Sequence, residues 1–378
     1  MRVTLLARRA TPAGEFARGA VAPGTMFAPM PSGILPVPNR QLRLTSEEIF
    51  NITTSDGREI RLARHHEGDK GPIVLAPGYG TSSLAWTIDT VDTNFPEYLA
   101  ENGYDIWLLD YRASPFLDAA STDYTIDDIA TRDWPAAIDK VREVTGADSV
   151  QVVPHCVGSM SFLMAMAAGM QGVRSALCSQ LGLHPIPVLL NRAKAQARLA
   201  SLMHGVGIER LTTTFHSKAF EDRALEKVMK HWPTREKCDS VVCHRILFIY
   251  GEVFDHDHLN EATHDAIVHI FGKTRLTAFK HLTTMIREGH AVDAEGEDVY
   301  TPHLDRLAFP ITFFHGEHNR MFIPRSTELT HDALREVNGD DLYRRVVIPD
   351  YAHMDCWIGQ DAARDVFPLA LAELERFN

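Results

Sequence analysis

A chain of 378 residues, 45% hydrophobic and 23% charged, is long enough to bury a large core in one elaborated domain or in two. Its formal net charge of −12 argues against nucleic acid or an anionic membrane as main partner, and no apolar run approaches the ~20 residues needed to span a bilayer. Five scattered cysteines, an odd number, make no disulfide framework and point to a reducing, cytoplasmic setting.

The first ten residues carry Arg8 and Arg9 but no apolar core of a secretory signal. Residues 1–40 hold Pro12, Pro23, Pro29, Pro31, Pro36 and Pro38, a density that breaks any periodic pattern and predicts an extended or disordered arm. The next elements are two strands, Glu47 to Thr53 and Arg58 to Arg64, turned by Ser55-Asp56-Gly57. A fully apolar strand, Pro72 to Ala76, runs into Pro77-Gly78-Tyr79-Gly80. A helix from Phe95 to Asn102 closes at Gly103, followed by a buried strand from Tyr104 to Asp110. Apolar positions at helical spacing predict one helix over Thr125 to Val144, opened by Asp127 and Asp128 and ended by Gly146. A strand starts at Val150, a helix covers about Gly158 to Met170, and a strand runs from Val173 to Leu181. Residues 187–305 are helical in pattern and rich in His, Met and basic residues. The strand–helix rhythm resumes with Phe309 to His315, a helix from Pro324 to Val337, a strand from Leu342 to Ile348 and a last helix from Ala362 to Phe377. The alternation predicts a mostly parallel doubly wound sheet. The core, 41–186 and 306–378, is then interrupted by a helical cap over 187–305.

The chemistry is carried by Val153-Pro154-His155-Cys156-Val157-Gly158-Ser159. An apolar strand that stops at once and turns into a helix projects one residue from the backbone, the arrangement usually written G-x-S-x-G. Cysteine stands at the nucleophile position and Pro154 at the first glycine position. Proline, lacking an N–H, fits only if the strand ends at Val153. Two further residues follow strand ends: Asn319 in Gly316-Glu317-His318-Asn319, and His353 in Tyr351-Ala352-His353-Met354-Asp355. Nucleophile, acid position and histidine thus come in the α/β-hydrolase order, at the carboxyl ends of strands where such sheets hold their ligands.

On these residues the chain from about residue 45 resembles an α/β-hydrolase with a helical cap inserted before the last two core strands. More narrowly, it is similar to the hydrolase-like domains fused to cholesterol-oxidase-like flavoenzymes of the GMC class. That likeness is carried by His155-Cys156-Val157-Gly158-Ser159, by Gly103-Tyr104-Asp105-Ile106-Trp107-Leu108-Leu109-Asp110-Tyr111-Arg112-Ala113-Ser114, and by Tyr351-Ala352-His353-Met354-Asp355-Cys356. No flavin-binding glycine fingerprint is present, so no flavin or other cofactor is implied. At the elbow cysteine alone it also resembles polyhydroxyalkanoate synthases and dienelactone hydrolases.

The roles that follow are an attack by Cys156 as thiolate, its pKa lowered by the start of the following helix and a nearby imidazolium, with His353 as base and then acid. The backbone N–H groups of Val157 and Tyr79 form the oxyanion hole. Asn319 would orient the ring through its carbonyl, as in papain-like proteases, because a resting thiolate already stabilises an imidazolium. Glu317 is the alternative orienter and Asp355 a third.

Other candidates read more plainly. Cys178 and Cys356 are packing residues, His155 packs beside the elbow, and Arg112 is either a salt bridge or part of the site mouth. Cys238 and Cys243 are spaced too widely for a close zinc pair. His256, His258 and His264, with Asp255, Asp257 and Glu261, could ligate a metal but read as local capping, so no metal is expected. The leading function is an acyl hydrolase acting on an ester, thioester or lactone with an apolar acyl group. The alternatives are an acyltransferase or cyclase using the same acyl-cysteine, and a non-catalytic hydrolase fold serving as a binding module. Pattern alone leaves the oligomeric state open.

Overall fold

A computed structural model of the chain describes residues 39–66, 68–205, 209–213, 229–230 and 238–377, so all but the last residues of the proline-rich arm lie outside the described residues. Strands β1 (Glu48–Thr53), β2 (Glu59–His66), β3 (Pro72–Ala76), β4 (Asp105–Asp110), β5 (Val150–Pro154) and β6 (Val173–Ser179) fall within two residues of the sequence reading. They share one sheet with β9 (Ile311–Gly316) and β10 (Tyr343–Ile348), in the order β1-β2-β4-β3-β5-β6-β9-β10. The hairpin β1–β2 and the β2–β4 pair are antiparallel, and every later neighbour is parallel. The parallel strands β3, β4 and β5 are buried at every residue, because helices cover both faces.

Helix α1 (Phe95–Glu101) packs on the C-terminal helix, with Phe95 and Phe367 rings 5.0 Å apart. Helices α2 (Trp134–Thr145) and α3 (Val157–Ala167) meet through Trp134 and Phe162, 5.2 Å apart. The helix expected over Thr125 to Val144 forms, with a π-type widening inside it. A short turn at Ile126–Asp128 runs into a π-type turn at Ile129–Asp133 before α2 begins. The wider turn ends on Asp133, whose fully buried carboxylate takes hydrogen bonds from the Arg112 backbone and guanidinium. Arg112 also grips Asp56 in the β1–β2 turn at 2.8 Å. Of the two readings for Arg112, the salt bridge is the one observed.

The insertion between β6 and β9 contains α4 (Leu189–Gln196), α5 (Leu199–Gly205), α6 (Val241–Ile249), α7 (Glu261–Ile270) and α8 (Leu276–Glu288). It also contains β7 (Arg210–Thr212) paired antiparallel with β8 (Lys273–Arg275), a ladder the helical pattern hid. Its last turn, Thr301–Leu307, returns to the core, where Arg306 donates to the Ala167 carbonyl at 2.7 Å and Asn338 donates to the Leu304 carbonyl at 2.8 Å. Helix α9 (Arg325–Asn338) follows β9, and α10 (Phe367–Glu375) ends the chain. No helix among the described residues is long and apolar enough to cross a membrane.

Arg112 and Asp133 are both almost wholly buried, so removing one leaves an uncompensated charge. The variant Arg112→Ala is expected to lose about 3–5 kcal/mol of unfolding free energy in urea melts. A loss below about 1 kcal/mol, the range of exposed pairs, would show that this link does not hold the hairpin to the core.

Candidate active site

The turn at Cys156 is built from both sides of the sheet. The His155 N–H donates to the Ala76 carbonyl of β3 at 3.0 Å, and the Cys156 N–H to the Ser179 carbonyl of β6 at 2.9 Å. The proline falls where its missing N–H costs least. Named pairs between β5 and β6 stop at Val152 and resume at the His155–Ser179 bridge, leaving Pro154 in the gap. The strand ends one residue later than expected. Cys156 then takes φ 56° and ψ −124°, and α3 starts at the next residue. Two glycines make the turn possible. A Cβ on Gly158 would stand 2.4 Å from the Pro77 carbonyl oxygen, and one on Gly78 would stand 3.2 Å from the Cβ of Cys156.

This close approach aims two backbone donors at the sulfur. The N–H groups of Val157 and Tyr79 both act on Cys156 and favour its ionised form. Burial outweighs them and pushes the thiol up to about 12. His353 is held well below its ordinary value by burial, with His155 and His315 adding to the effect. Burial also takes His155 down to about 3. The expected resting thiolate–imidazolium pair is therefore corrected to a neutral thiol and a neutral imidazole. The reason is desolvation: two groups less than 5% exposed, with no buried carboxylate against either, lose more by charging than the helix start and two amides return.

Asn319 meets His353, in the sense opposite to the one expected. Its Oδ1 accepts from the backbone N–H of Met321 at 2.9 Å and of Phe322 at 3.1 Å. That fixes the amide, so Nδ2 donates to Gln180 Oε1 at 2.9 Å and to His353 Nδ1 at 2.9 Å. Nδ1 is then an acceptor, and the neutral ring carries its proton on Nε2. No hydrogen bond joins Cys156 to His353; the ring stands edge-on to His155, with centroids 4.7 Å apart. Neither alternative orienter takes the place of Asn319. Glu317 is exposed, and its carboxylate faces the Asp350 N–H at 3.4 Å. Asp355 is buried but turns Oδ2 to the Ala352 N–H at 3.0 Å.

Gln180 is the residue that sequence reasoning missed. It lies just past β6, at the second position where an acid can serve this fold, but as an amide it carries no acid signal. Buried at φ 70°, it accepts from Gly316 N–H at 3.0 Å as well as from Asn319, and donates to Cys356 Sγ at 3.2 Å. Its signal was a lone buried-type amide at a strand end, which carries no weight without its partners. Cys356 accordingly does more than pack: it is the far end of this amide chain.

Against the sulfur opens a cavity of about 110 Å³, several times the roughly 10–15 Å³ that one water needs. Its walls are mostly apolar and come mainly from the insertion, with Phe248 and Ile249 of α6, Leu276, Phe279, Leu282 and Ile286 of α8, and the polar Asn191, Lys194 and Thr283 among them. Tyr79, Val157 and Cys156 form its floor.

Sheet order, elbow and inserted cap define the α/β-hydrolase fold, and the chain has that fold. A family model described as the alpha/beta hydrolase fold matches residues 71–181. Over 361 residues the chain is 22% identical to lipase member K of Homo sapiens, covering 87% of this chain and 88% of that protein. Over 351 residues it is 22% identical to lipase lipl-1 of Caenorhabditis elegans, covering 84% and 86%. Among solved structures, the esterase Pf2001 of Pyrococcus furiosus superposes with a TM-score of 0.51 at 13% identity, covering 88% of this chain and 90% of that one. Rv0554 of Mycobacterium tuberculosis does so with a TM-score of 0.54 at 16% identity, covering 88% and 100%. At these identities the solved structures share the fold.

Two outcomes test the site's geometry. Gly158→Ala is expected to cost about 1–3 kcal/mol in urea unfolding, since the Pro77 carbonyl is backbone and cannot swing aside; an unchanged midpoint would contradict the close packing. For Cys156 the sign is that of a raised pKa, with thiolate absent at neutral pH and gained only in alkali. Iodoacetamide labelling of its tryptic peptide is expected to rise about tenfold per pH unit through neutral pH. A plateau reached below pH 7 would mean a resting thiolate.

Proposed function

We propose that this chain hydrolyses carboxylic esters with apolar acyl groups through an acyl-cysteine. The observation that carries the reading is the strained, glycine-flanked turn at Cys156, which holds two backbone N–H groups at the sulfur and faces an apolar cavity. The similarity to proteins named lipases over most of the chain supports the ester class. The narrower kinship with hydrolase-like domains of GMC-class flavoenzymes belongs to the same proposal, and so does a cytoplasmic location. The latter is in keeping with five cysteines that form no disulfide.

In this reading Cys156 Sγ attacks the ester carbonyl carbon. The carbonyl oxygen gathers negative charge against the N–H groups of Val157 and Tyr79. The thiol proton passes to His353 Nε2 and on to the departing alkoxide, which leaves as alcohol. Water then attacks the thioester, gives its proton to His353 and releases the acid, and the ring returns the proton to sulfur. One ester and one water yield one acid and one alcohol.

Nε2 can accept a proton only if the ring's own proton sits on Nδ1. The resting hydrogen bonds of Asn319 favour the other tautomer. Turnover therefore requires the amide of Asn319 to turn over and offer Oδ1 to Nδ1–H. The turn leaves the Met321 and Phe322 N–H groups short of an acceptor, at about 1–3 kcal/mol each. The resting site is an off state, and substrate filling the cavity supplies the compensation.

Cys156→Ala is expected to abolish the acyl adduct seen by intact mass after exposure to p-nitrophenyl esters of graded chain length. Its kcat/KM should fall on the order of a thousandfold or more, with the melting temperature kept. Full turnover in that variant would end the proposal, and an adduct that resolves only onto an added alcohol or amine would replace hydrolysis with transfer. Asn319→Asp supplies one oxygen for the two backbone donors and a second for Nδ1–H, so acylation at neutral pH is expected to speed up about tenfold. A folded Asp variant slower than the parent would remove the tautomer argument while leaving the nucleophile standing.

A further inference from the structure

Sequence spacing argued against a metal site, yet the tertiary structure brings four candidate ligands together. The cap folds so that Cys238, Cys243, His256 and His264 each turn one ligand atom to a common point, all four atoms lying within 4.8 Å of one another. Cys238 Sγ is 3.3 Å from His264 Nε2. Cys243 Sγ is 3.1 Å from His264 Nε2 and 3.7 Å from His256 Nε2. Bonds of ~2.3 Å to sulfur and ~2.0–2.1 Å to nitrogen in a tetrahedron put ligand atoms roughly 3.3–3.8 Å apart, which is nearly the spacing observed.

We infer that this cluster is a structural zinc site in the cap, distinct from the Cys156 site and independent of the reaction proposed for it. Two thiolates and two imidazoles are the donor set that selects zinc among the common divalent ions. Single ligand atoms converging on one point call for one ion rather than an iron–sulfur cluster, whose ligands spread over several irons. The surroundings are those of a metal site. Ser240 N–H donates to Cys238 Sγ at 3.3 Å, which stabilises a thiolate there. His264 turns its other ring nitrogen, Nδ1, toward the Asp265 carboxylate at 3.7 Å, leaving Nε2 for the ion. Phe254 covers His256 edge-on at 5.1 Å. His258, two residues from His256, belongs elsewhere: its Nε2 faces the Asp350 carbonyl and its ring stacks on Tyr351.

The ion would join three separate segments of the cap. Cys243 lies in the first turn of α6, His256 opens the short turn His256–His258, and His264 lies in the first turn of α7. The far end of α6 supplies Phe248 and Ile249 to the cavity over Cys156. Helix α7 is anchored to the core, with Thr263 Oγ1 bonded to Thr90 Oγ1 at 2.8 Å and Asn260 Nδ2 donating to the Thr90 carbonyl at 2.8 Å. Zinc thus fixes one wall of the cavity to the hydrolase core.

The test is metal analysis of the full chain purified from zinc-supplemented culture without a histidine tag. The expected result is about one zinc per chain by plasma mass spectrometry, falling below about one tenth in Cys243→Ser and in His264→Ala and unchanged in His258→Ala. Chelator-stripped parent protein titrated with Co²⁺ is expected to show thiolate-to-cobalt charge transfer and the intense visible bands of tetrahedral cobalt, which settles the matter should the variants fail to fold. Zinc below about one tenth per chain in the parent, with no charge-transfer band on cobalt addition, would overturn the site. Zinc retained in both ligand variants would do the same.

Discussion

The turn at Cys156 takes a backbone conformation that a residue with a side chain adopts only at about 1–3 kcal/mol. Much of the surrounding core is arranged to hold it there. Donors from His155 and Cys156 lock it to the strands on either side, and Pro154 sits in the one gap of the ladder that needs no donor. Gly158 lets α3 lie against the Pro77 carbonyl, and Gly78 lets the neighbouring loop reach the sulfur. The strain is set by packing rather than by Cys156 itself. It is also what delivers the sulfur and two amide donors to a single point at the edge of a cavity.

Around that point electrostatics run against the usual picture of an activated cysteine. Helix start and amides favour the thiolate, but burial without a nearby carboxylate is the larger effect and leaves the thiol and the imidazole neutral. The amide chain from Cys356 through Gln180 and Asn319 to His353 Nδ1 selects the ring tautomer. A carboxylate at either acid position would have removed both effects. The chain has Asn at one position and Gln at the other, so neutral amides stand where a carboxylate would charge the ring.

The cap contributes the other half of the site. The cavity walls are mainly apolar side chains of α6 and α8, and the two helices reach the core through different contacts. Tyr79, in the loop after β3, bonds the Arg275 carbonyl at 2.7 Å just before α8, which ties α8 to the oxyanion loop. Helices α6 and α7 meet at the Cys238, Cys243, His256 and His264 cluster instead. A cap held in two such ways shapes the cavity independently of the turn at its floor.

Hydrophobic runs, glycine stops and strand–helix alternation by themselves determined the parallel core, the position of the elbow and the order Cys156, Asn319, His353, because each depends on residues near one another in the chain. Four features depended on residues far apart. The π-type turn before α2 answers to Arg112, and the β7–β8 ladder joins segments some 60 residues apart that each look unremarkable. The direction of the Asn319 hydrogen bond combines a local turn onto the Met321 and Phe322 N–H groups with Gln180, distant in the chain, whose carbonyl takes the amide's other end. The cysteine–histidine cluster was discounted on linear spacing, which governs ligands on one local motif; here helices α6 and α7 bring the pairs together. Local sequence could name Cys156, Asn319 and His353 as candidates, but only tertiary packing decided their protonation, their partners and the cysteine–histidine cluster in the cap.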